Sequence, residues 1–83
     1  MEDKKLKDLL EFIARGLVNQ PDSVKVDSSI EDNVVQLKLL VDTEDIGRVI
    51  GKQGRVANAI RTLLRAAASR EGMQVNMYVV EPE

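Results

Sequence analysis

The chain has 83 residues, of which 43% are hydrophobic and 31% are charged, and its formal net charge is −2. This length supports one small domain with a single core, and the composition is typical of a folded globular protein. Cysteine and histidine are both absent, which excludes disulfides, thiolate zinc sites and the commonest general base. We therefore expect a protein that is not an enzyme and that has no catalytic residue, no cofactor and no metal site.

The N-terminal residues do not have the pattern of a signal peptide. Residues 1–5 lead into an amphipathic pattern and lack the continuous apolar run of a signal peptide. No stretch of the sequence reaches the length of a membrane span. The cytoplasm is therefore the expected compartment.

The charges are distributed unevenly along the chain. Residues 47–70 contain six basic residues and no acidic one, so this window carries +6 and the rest of the chain −8. A basic segment within an acidic chain is typical of a surface that binds an anion such as nucleic acid. The six residues are Arg48, Lys52, Arg55, Arg61, Arg65 and Arg70.

The first predicted element is an amphipathic helix. Apolar residues recur at helical spacing from Leu6 to Val18, and Asp3 is a plausible N-terminal cap. The helix should end near residues 19–21, where a proline follows. Phe12, one of only two aromatic residues, is expected to be buried beside its apolar neighbours.

The next predicted elements are two strands. Residues 24–30 and 35–41 both alternate between apolar and polar side chains, which indicates strands with one wet face. The polar turn between them spans only residues 31–33. Such a short connection predicts an antiparallel hairpin.

Two helices and a third strand complete the chain. Thr43 can cap a short helix, which cannot extend far because Gly51 and Gly54 interrupt it. Beyond the glycines, apolar residues recur at helical spacing from Val56 to Ala67 and predict a longer amphipathic helix that ends near Gly72, and residues 73–79 alternate as a strand. The order helix, strand, strand, helix, helix, strand predicts an α+β fold: a three-stranded mixed sheet with the second strand central, a right-handed crossover and three helices on one face.

The turn Gly51-Lys52-Gln53-Gly54 is the strongest functional signal. It places a helix N-terminus, glycine backbone and basic side chains together, which favours binding of a phosphate. A P-loop fits poorly because three residues, not four, separate Gly47 from Gly51 and Gln53 follows the lysine. The dinucleotide-binding fingerprint also fails on glycine spacing. The remaining alternative is that the glycines only make a tight turn between helices.

The turn also carries a family resemblance. Val49-Ile50-Gly51-Lys52-Gln53-Gly54 resembles the signature of the KH domain, and the element order resembles its prokaryotic type II form. With residues 46–55 and the run Ala59-Ile60-Arg61-Thr62, the chain is similar to the small bacterial single-KH proteins of the KhpA family. The resemblance covers essentially the whole chain and assigns residues 1–83 to one KH domain. One departure is Ala57, where KH domains usually have a larger aliphatic residue.

The resemblance implies binding of single-stranded RNA. A GXXG loop holds the sugar-phosphate backbone, and about four bases lie in the adjoining groove. Some of the apolar residues beside the loop must instead belong to the core. With few aromatic residues, affinity should be weak and come from aliphatic and electrostatic contacts. The expected RNA-binding residues are Ile46, Arg48, Val49, Ile50, Gly51, Lys52, Gln53, Gly54, Arg55, Val56, Ala57 and Asn58.

The same resemblance implies a biological role and partners. The expected role is that of an RNA chaperone or post-transcriptional regulator. The expected partners are a second copy of the chain, in a homodimer, and a bacterial RNA-binding protein of the KhpB (Jag) type. The alternative is a protein-interaction adaptor that keeps the KH fold, works mainly by dimerising or binding a partner, and contacts RNA incidentally.

Overall fold

The structure, a computed structural model, describes residues 2–80 of the chain. Its helices and strands follow the predicted order. They are α1 (Glu2–Leu17), β1 (Lys25–Glu31), β2 (Val34–Leu40), α2 (Ile46–Ile50), α3 (Arg55–Arg70) and β3 (Gln74–Val80). Short 3₁₀ turns lie at Pro21–Ser23, Thr43–Asp45 and Lys52–Gly54.

The three strands form one mixed sheet in the order β1-β2-β3. β1 pairs antiparallel with β2, and Ser28 lies opposite Leu37. β3 pairs parallel with β2, and Met77 lies on the other side of Leu37. The prediction of a central second strand is therefore confirmed. Because β3 is at an edge, one row of its backbone N–H and C=O groups has no partner strand.

The core lies between one face of the sheet and the three helices. β2 supplies three fully buried side chains at alternate positions, Val35, Leu37 and Leu39, because every second residue of a strand points to the same face. α3 supplies Ile60 and Leu64 from the same stripe. This layer fixes α2 and α3 against the sheet and so positions the turn between them.

The first helix buries a narrower stripe than its composition suggests. Leu6, Leu10 and Ala14 recur every four residues and are at most 3% exposed. Phe12 is 78% exposed, so the prediction that it is buried was wrong. It follows Leu10 by two residues, about 200° around a helix, and therefore points away from the core. Asp3 lies inside α1, which begins at Glu2, rather than at its cap.

The turn that leads into α2 is capped by Asp42, not by Thr43. The Asp42 carboxylate accepts a hydrogen bond from the Glu44 amide at 3.0 Å. Thr43 is instead the first residue of the 3₁₀ turn. The cap lies one residue earlier than predicted because this extra turn precedes the α-helix.

No helix within residues 2–80 combines the length and the apolar composition that crossing a bilayer requires.

Candidate nucleic-acid interface

Gly51 sets the geometry of the turn between α2 and α3. Its backbone has φ 77° and ψ 175°, a conformation that is open essentially only to glycine. A Cβ atom built there would lie 2.8 Å from the backbone nitrogen of Val56 and would also clash with the Val56 side chain. The turn therefore requires glycine at this position for two independent reasons.

Two further residues of the turn, Gln53 and Gly54, are in the left-handed region. Gln53 has φ 57° and ψ 26°, which is uncommon for a residue with a side chain, and Gly54 has φ 75° and ψ 13°. Space around Gly54 is open, so its conformation and not crowding favours glycine. These angles turn Lys52 and Gln53 outward, and both side chains are exposed.

The turn presents donors and cations on the same surface. The amides of Gly51 and Gly54 donate to the carbonyls of Gly47 and Gly51. The amides of Lys52 and Gln53 open the 3₁₀ turn, where the first N–H groups have no acceptor within the helix and can serve a ligand. α3 begins immediately afterwards, so the partial positive charge of its N-terminus adds to that of Lys52 and Arg55. The Arg55 guanidinium donates to the Gln53 side-chain oxygen at 3.4 Å. This arrangement is suited to a phosphate.

The apolar residues predicted for the site divide into two groups. Val49 and Ala57 are 0% and 3% exposed and belong to the core. Ile46, Ile50 and Val56 are only partly buried against that core. Only these three offer apolar surface beside the turn.

Asp45 positions the whole unit, a role that the sequence did not indicate. Its carboxylate is 1% exposed and accepts hydrogen bonds from the amides of Asn19 and Gln20, both at 3.0 Å. The Arg48 guanidinium lies 3.3 Å from the same carboxylate. Asp45 therefore ties the segment after α1 to the start of α2, and it engages Arg48 in an ion pair.

Two basic residues of α3, Arg61 and Arg70, lie on different sides of the helix. Arg61 is half-buried and donates from Nε to the Met77 carbonyl of β3 at 3.1 Å and from Nη1 to the Asn58 side chain at 3.1 Å. Arg70 lies on another side of the helix, in a groove that α3 forms with α1. Arg61 therefore belongs to the surface that continues from the turn, and Arg70 does not.

This architecture defines a class of protein. Along the chain, β2 is followed by a short helix, a Gly-Lys-Gln-Gly turn and a longer helix, and then by β3, which pairs parallel with β2. An additional helix and strand, α1 and β1, precede this unit. That arrangement is the type II KH fold. Among the described residues no group of acidic side chains is arranged to hold a metal ion.

Comparison with known proteins gives the family. The family model described as KhpA/KhpB, KH domain matches residues 7–79. A protein of Clostridium acetobutylicum named RNA-binding protein KhpA is 47% identical over 75 residues, which are 90% of this chain and the whole of that relative. A protein of the same name from Clostridium perfringens is 44% identical over the same shares of both chains. The chain belongs to the KhpA/KhpB KH-domain family, which is non-enzymatic.

A solved structure supports the fold. The crystal structure of Era in complex with MgGDPNP and nucleotides 1506–1542 of 16S ribosomal RNA matches with a TM-score of 0.66 at 22% identity. The match covers 92% of this chain but only 29% of that one. At this level of identity the likeness concerns the fold alone.

Proposed function

We propose that this chain binds single-stranded RNA and that its Gly-Lys-Gln-Gly turn clamps the sugar-phosphate backbone. The observation that carries the proposal is the conformation of Gly51, which brings bare backbone, unused amides and basic side chains to one surface. The name that the relatives share, RNA-binding protein KhpA, supports the same ligand. A turn that only joined two helices would not need this surface to be basic and free of acidic residues.

The side chains, the glycines and the backbone amides of the turn contribute differently in this proposal. Lys52 and Arg55 bind phosphate oxygens, and the absence of side chains at Gly51 and Gly54 lets the RNA backbone come close. The amides of Lys52 and Gln53 donate hydrogen bonds to the same phosphates. Electrostatic contacts of this kind hold RNA of any sequence.

The groove beside the turn receives the bases. Ile46, Ile50 and Val56 form its apolar floor, and Asn58 lies at its margin next to Arg61. Arg48 adds positive charge, moderated by its pairing with Asp45. Val49 and Ala57 support this floor from the core rather than contact the bases. Since no ring is available to stack on a base here, a single domain binds weakly and with low sequence selectivity.

The proposed biological role follows from such binding. A protein that holds unpaired RNA weakly and with little selectivity is suited to act as an RNA chaperone or post-transcriptional regulator in the cytoplasm, where bacterial transcripts are translated. We also infer a homodimer, and a KhpB-type protein as a second partner, because linking two weak sites raises avidity without new contacts to RNA.

The homodimer is supported by exposed apolar side chains on two adjacent helices. Phe12 of α1 is 78% exposed and Leu63 of α3 is 55% exposed. They continue the rows of Leu9 and Ala66, which line the groove between these helices. Sedimentation velocity of the wild type and of Leu63→Glu tests this surface. We expect the wild type to be a dimer and the variant to be a monomer, because the new carboxylate would be buried in the interface. An equally dimeric variant would contradict this surface.

Fluorescence anisotropy with short labelled single-stranded RNAs tests the proposed clamp. The double variant Lys52→Asp/Gln53→Asp places two carboxylates in the turn and leaves both glycines and the core intact. We expect it to remain folded by circular dichroism and to lose about tenfold or more in affinity.

The matched control is Lys4→Asp/Asn33→Asp, which makes the same change in net charge. Both side chains are exposed, Asn33 lies in the hairpin turn at the far end of the sheet, and Lys4 is in the first turn of α1. We expect the control to keep nearly all of its affinity. If both variants bound RNA like the wild type, the adaptor function would replace the clamp.

A further inference from the structure

The sheet has an outer face, on the side away from the helices. The core and the helices that form it lie against the other face, so within residues 2–80 no element covers this one. Four side chains of β2 and β3 lie together near its centre, and none of them is buried. We call this cluster the Tyr78 patch; its members are Gln36, Lys38, Asn76 and Tyr78.

The Tyr78 patch is compact because its members are neighbours across two paired strands. Lys38 lies opposite Tyr78, and Gln36 lies opposite Asn76, in the parallel register of β2 and β3. Neighbouring strands are about 4.8 Å apart, and residues two apart along a strand are separated by about 6.6 Å. A ring, two amides and a cation therefore lie within the reach of one nucleotide.

The chemistry of the patch is suited to a nucleotide. Tyr78 is 49% exposed, and an exposed ring offers a π-face on which any base can stack. Each of the amides of Gln36 and Asn76 has both donors and an acceptor for the edge of a base. Within residues 2–80 none of the four side chains takes part in a hydrogen bond or an ion pair. Their polar groups are therefore available to a ligand.

The charge of the patch favours a ligand that carries phosphate. Neither β2 nor β3 contains an acidic residue, and Lys38 is the only charged residue in these two strands. The acidic residues of the outer face are on β1, where Asp27 lies opposite Lys38 and Glu31 lies at the end of the strand. We therefore expect a ligand to lie along β2 and β3 and not across β1.

The size of the outer face favours a single strand of nucleic acid over a folded protein. Each of the three strands has seven residues, so the face measures about 23 Å by 14 Å, roughly 330 Å². A stable protein interface buries about 800 Å² on each partner. RNA-binding domains with an open four-stranded sheet hold about two or three bases on the aromatic residues of that sheet. A short single-stranded segment therefore fits this face, whereas a second copy of the chain would gain too little from it.

We propose that the Tyr78 patch is a second binding site for single-stranded RNA. A base stacks on the Tyr78 ring, the amides of Gln36 and Asn76 hydrogen-bond its edge, and Lys38 binds the adjoining phosphate. This inference goes beyond the proposed function, because the patch lies on the opposite side of the sheet from the glycine turn. One domain can then hold two single-stranded segments at the same time.

Tyr78 provides a direct optical test, because it is the only tyrosine and the chain has no tryptophan. An unlabelled single-stranded tetranucleotide is titrated into the wild type and into the turn variant Lys52→Asp/Gln53→Asp while tyrosine emission is measured. Free tyrosine amide corrects for the light that the RNA absorbs. We expect the stacked base to quench most of the emission in both proteins, since the patch does not use the turn.

Substitutions within the patch test it by fluorescence anisotropy with labelled RNA, in the background of the turn variant. Tyr78→Thr removes the ring but keeps a residue that favours a strand, and Tyr78→Phe keeps the ring. We expect Tyr78→Thr to weaken the remaining RNA binding about fivefold or more, and Tyr78→Phe to retain most of it. Lys38→Gln should also weaken binding, whereas the matched control Lys25→Gln, which removes the same charge from β1, should not.

The outcomes separate this inference from the proposed function. Tyrosine emission that stays unchanged in the wild type when anisotropy shows saturation with RNA refutes the patch and leaves the clamp standing. Quenching that occurs in the wild type but not in the turn variant refutes it too, because the effect would come from the turn. Emission that depends on protein concentration and not on RNA would show that a second copy covers this face, which also refutes the patch. The proposed function fails if adding the turn substitutions to Tyr78→Thr leaves its RNA affinity unchanged.

Discussion

Gly51 is the residue whose replacement should damage the site most directly. We expect Gly51→Ala to lower the free energy of unfolding by about 2–4 kcal/mol, because the new Cβ is both conformationally strained and in collision with Val56. Gly47→Ala is the control: Gly47 lies within α2 and has nothing within 4 Å of a Cβ position. That change should raise stability by about 0.5–1 kcal/mol. Urea unfolding measures both, and equal values for the two variants would contradict the strain described at Gly51.

Asp45 gives a second prediction at the residue scale. Asp45→Ala should lower stability by about 2–4 kcal/mol, because it leaves the amides of Asn19 and Gln20 without their acceptor and removes the partner of Arg48. Asp42→Ala removes only an exposed cap and should cost about 1 kcal/mol. The comparison uses thermal and urea unfolding. An Asp45→Ala variant as stable as Asp42→Ala would show that the carboxylate does not hold the two segments together.

At the residue scale, the position of the glycine turn could be predicted from the sequence, but the role of Asp45 and the backbone of Gln53 could not. The spacing of Gly51 and Gly54 was enough to locate the turn, because tight turns between helices select glycine. The role of Asp45 was not predictable, because its carboxylate oxygens accept hydrogen bonds from backbone amides that are 25 and 26 residues away. Every residue except proline has such an amide, so the sequence does not indicate which ones the carboxylate binds. The positive φ of Gln53 was also not predictable, because glutamine has no particular preference for the left-handed region.

At the scale of single elements, α1 has one large apolar residue that is buried, Leu10, and another that is exposed, Phe12. We expect Leu10→Ala to cost about 2–5 kcal/mol, because Leu10 is fully buried and its truncation leaves a cavity. Phe12→Ala, two residues away in the same helix, should change monomer stability by less than about 0.5 kcal/mol. Urea unfolding at low protein concentration keeps any contribution from dimerisation small. A large loss for Phe12→Ala under those conditions would contradict the orientation of α1.

The elements themselves were largely predictable. Period-two alternation located all three strands, and the order of elements was sufficient for a mixed sheet with β2 in the centre. The position of Phe12 was mispredicted because a broad apolar stripe does not reveal which of its residues faces the sheet. The phase became clear only from Leu6, Leu10 and Ala14, which the packing of α1 against β1 selects.

At the scale of the whole molecule, we expect the distribution of charge to affect RNA binding more than the net charge does. A chain of net charge −2 nevertheless carries +6 within residues 47–70. If about three phosphates are neutralised, the logarithm of RNA affinity should fall with the logarithm of salt concentration with a slope of about −2, since each contact on a single strand contributes about −0.7. Anisotropy titrations at several potassium chloride concentrations measure this slope. A slope near zero would favour the adaptor function.

The most direct test of the clamp is an NMR titration of the ¹⁵N-labelled protein with a single-stranded tetranucleotide. We expect the largest amide shifts at Gly51–Arg55 and smaller ones in the first turns of α3, with β1 and the N-terminal half of α1 unchanged. Shifts confined to the groove between α1 and α3 or to the outer face of the sheet, with the amides of the turn unmoved, would contradict the claim that this turn holds RNA.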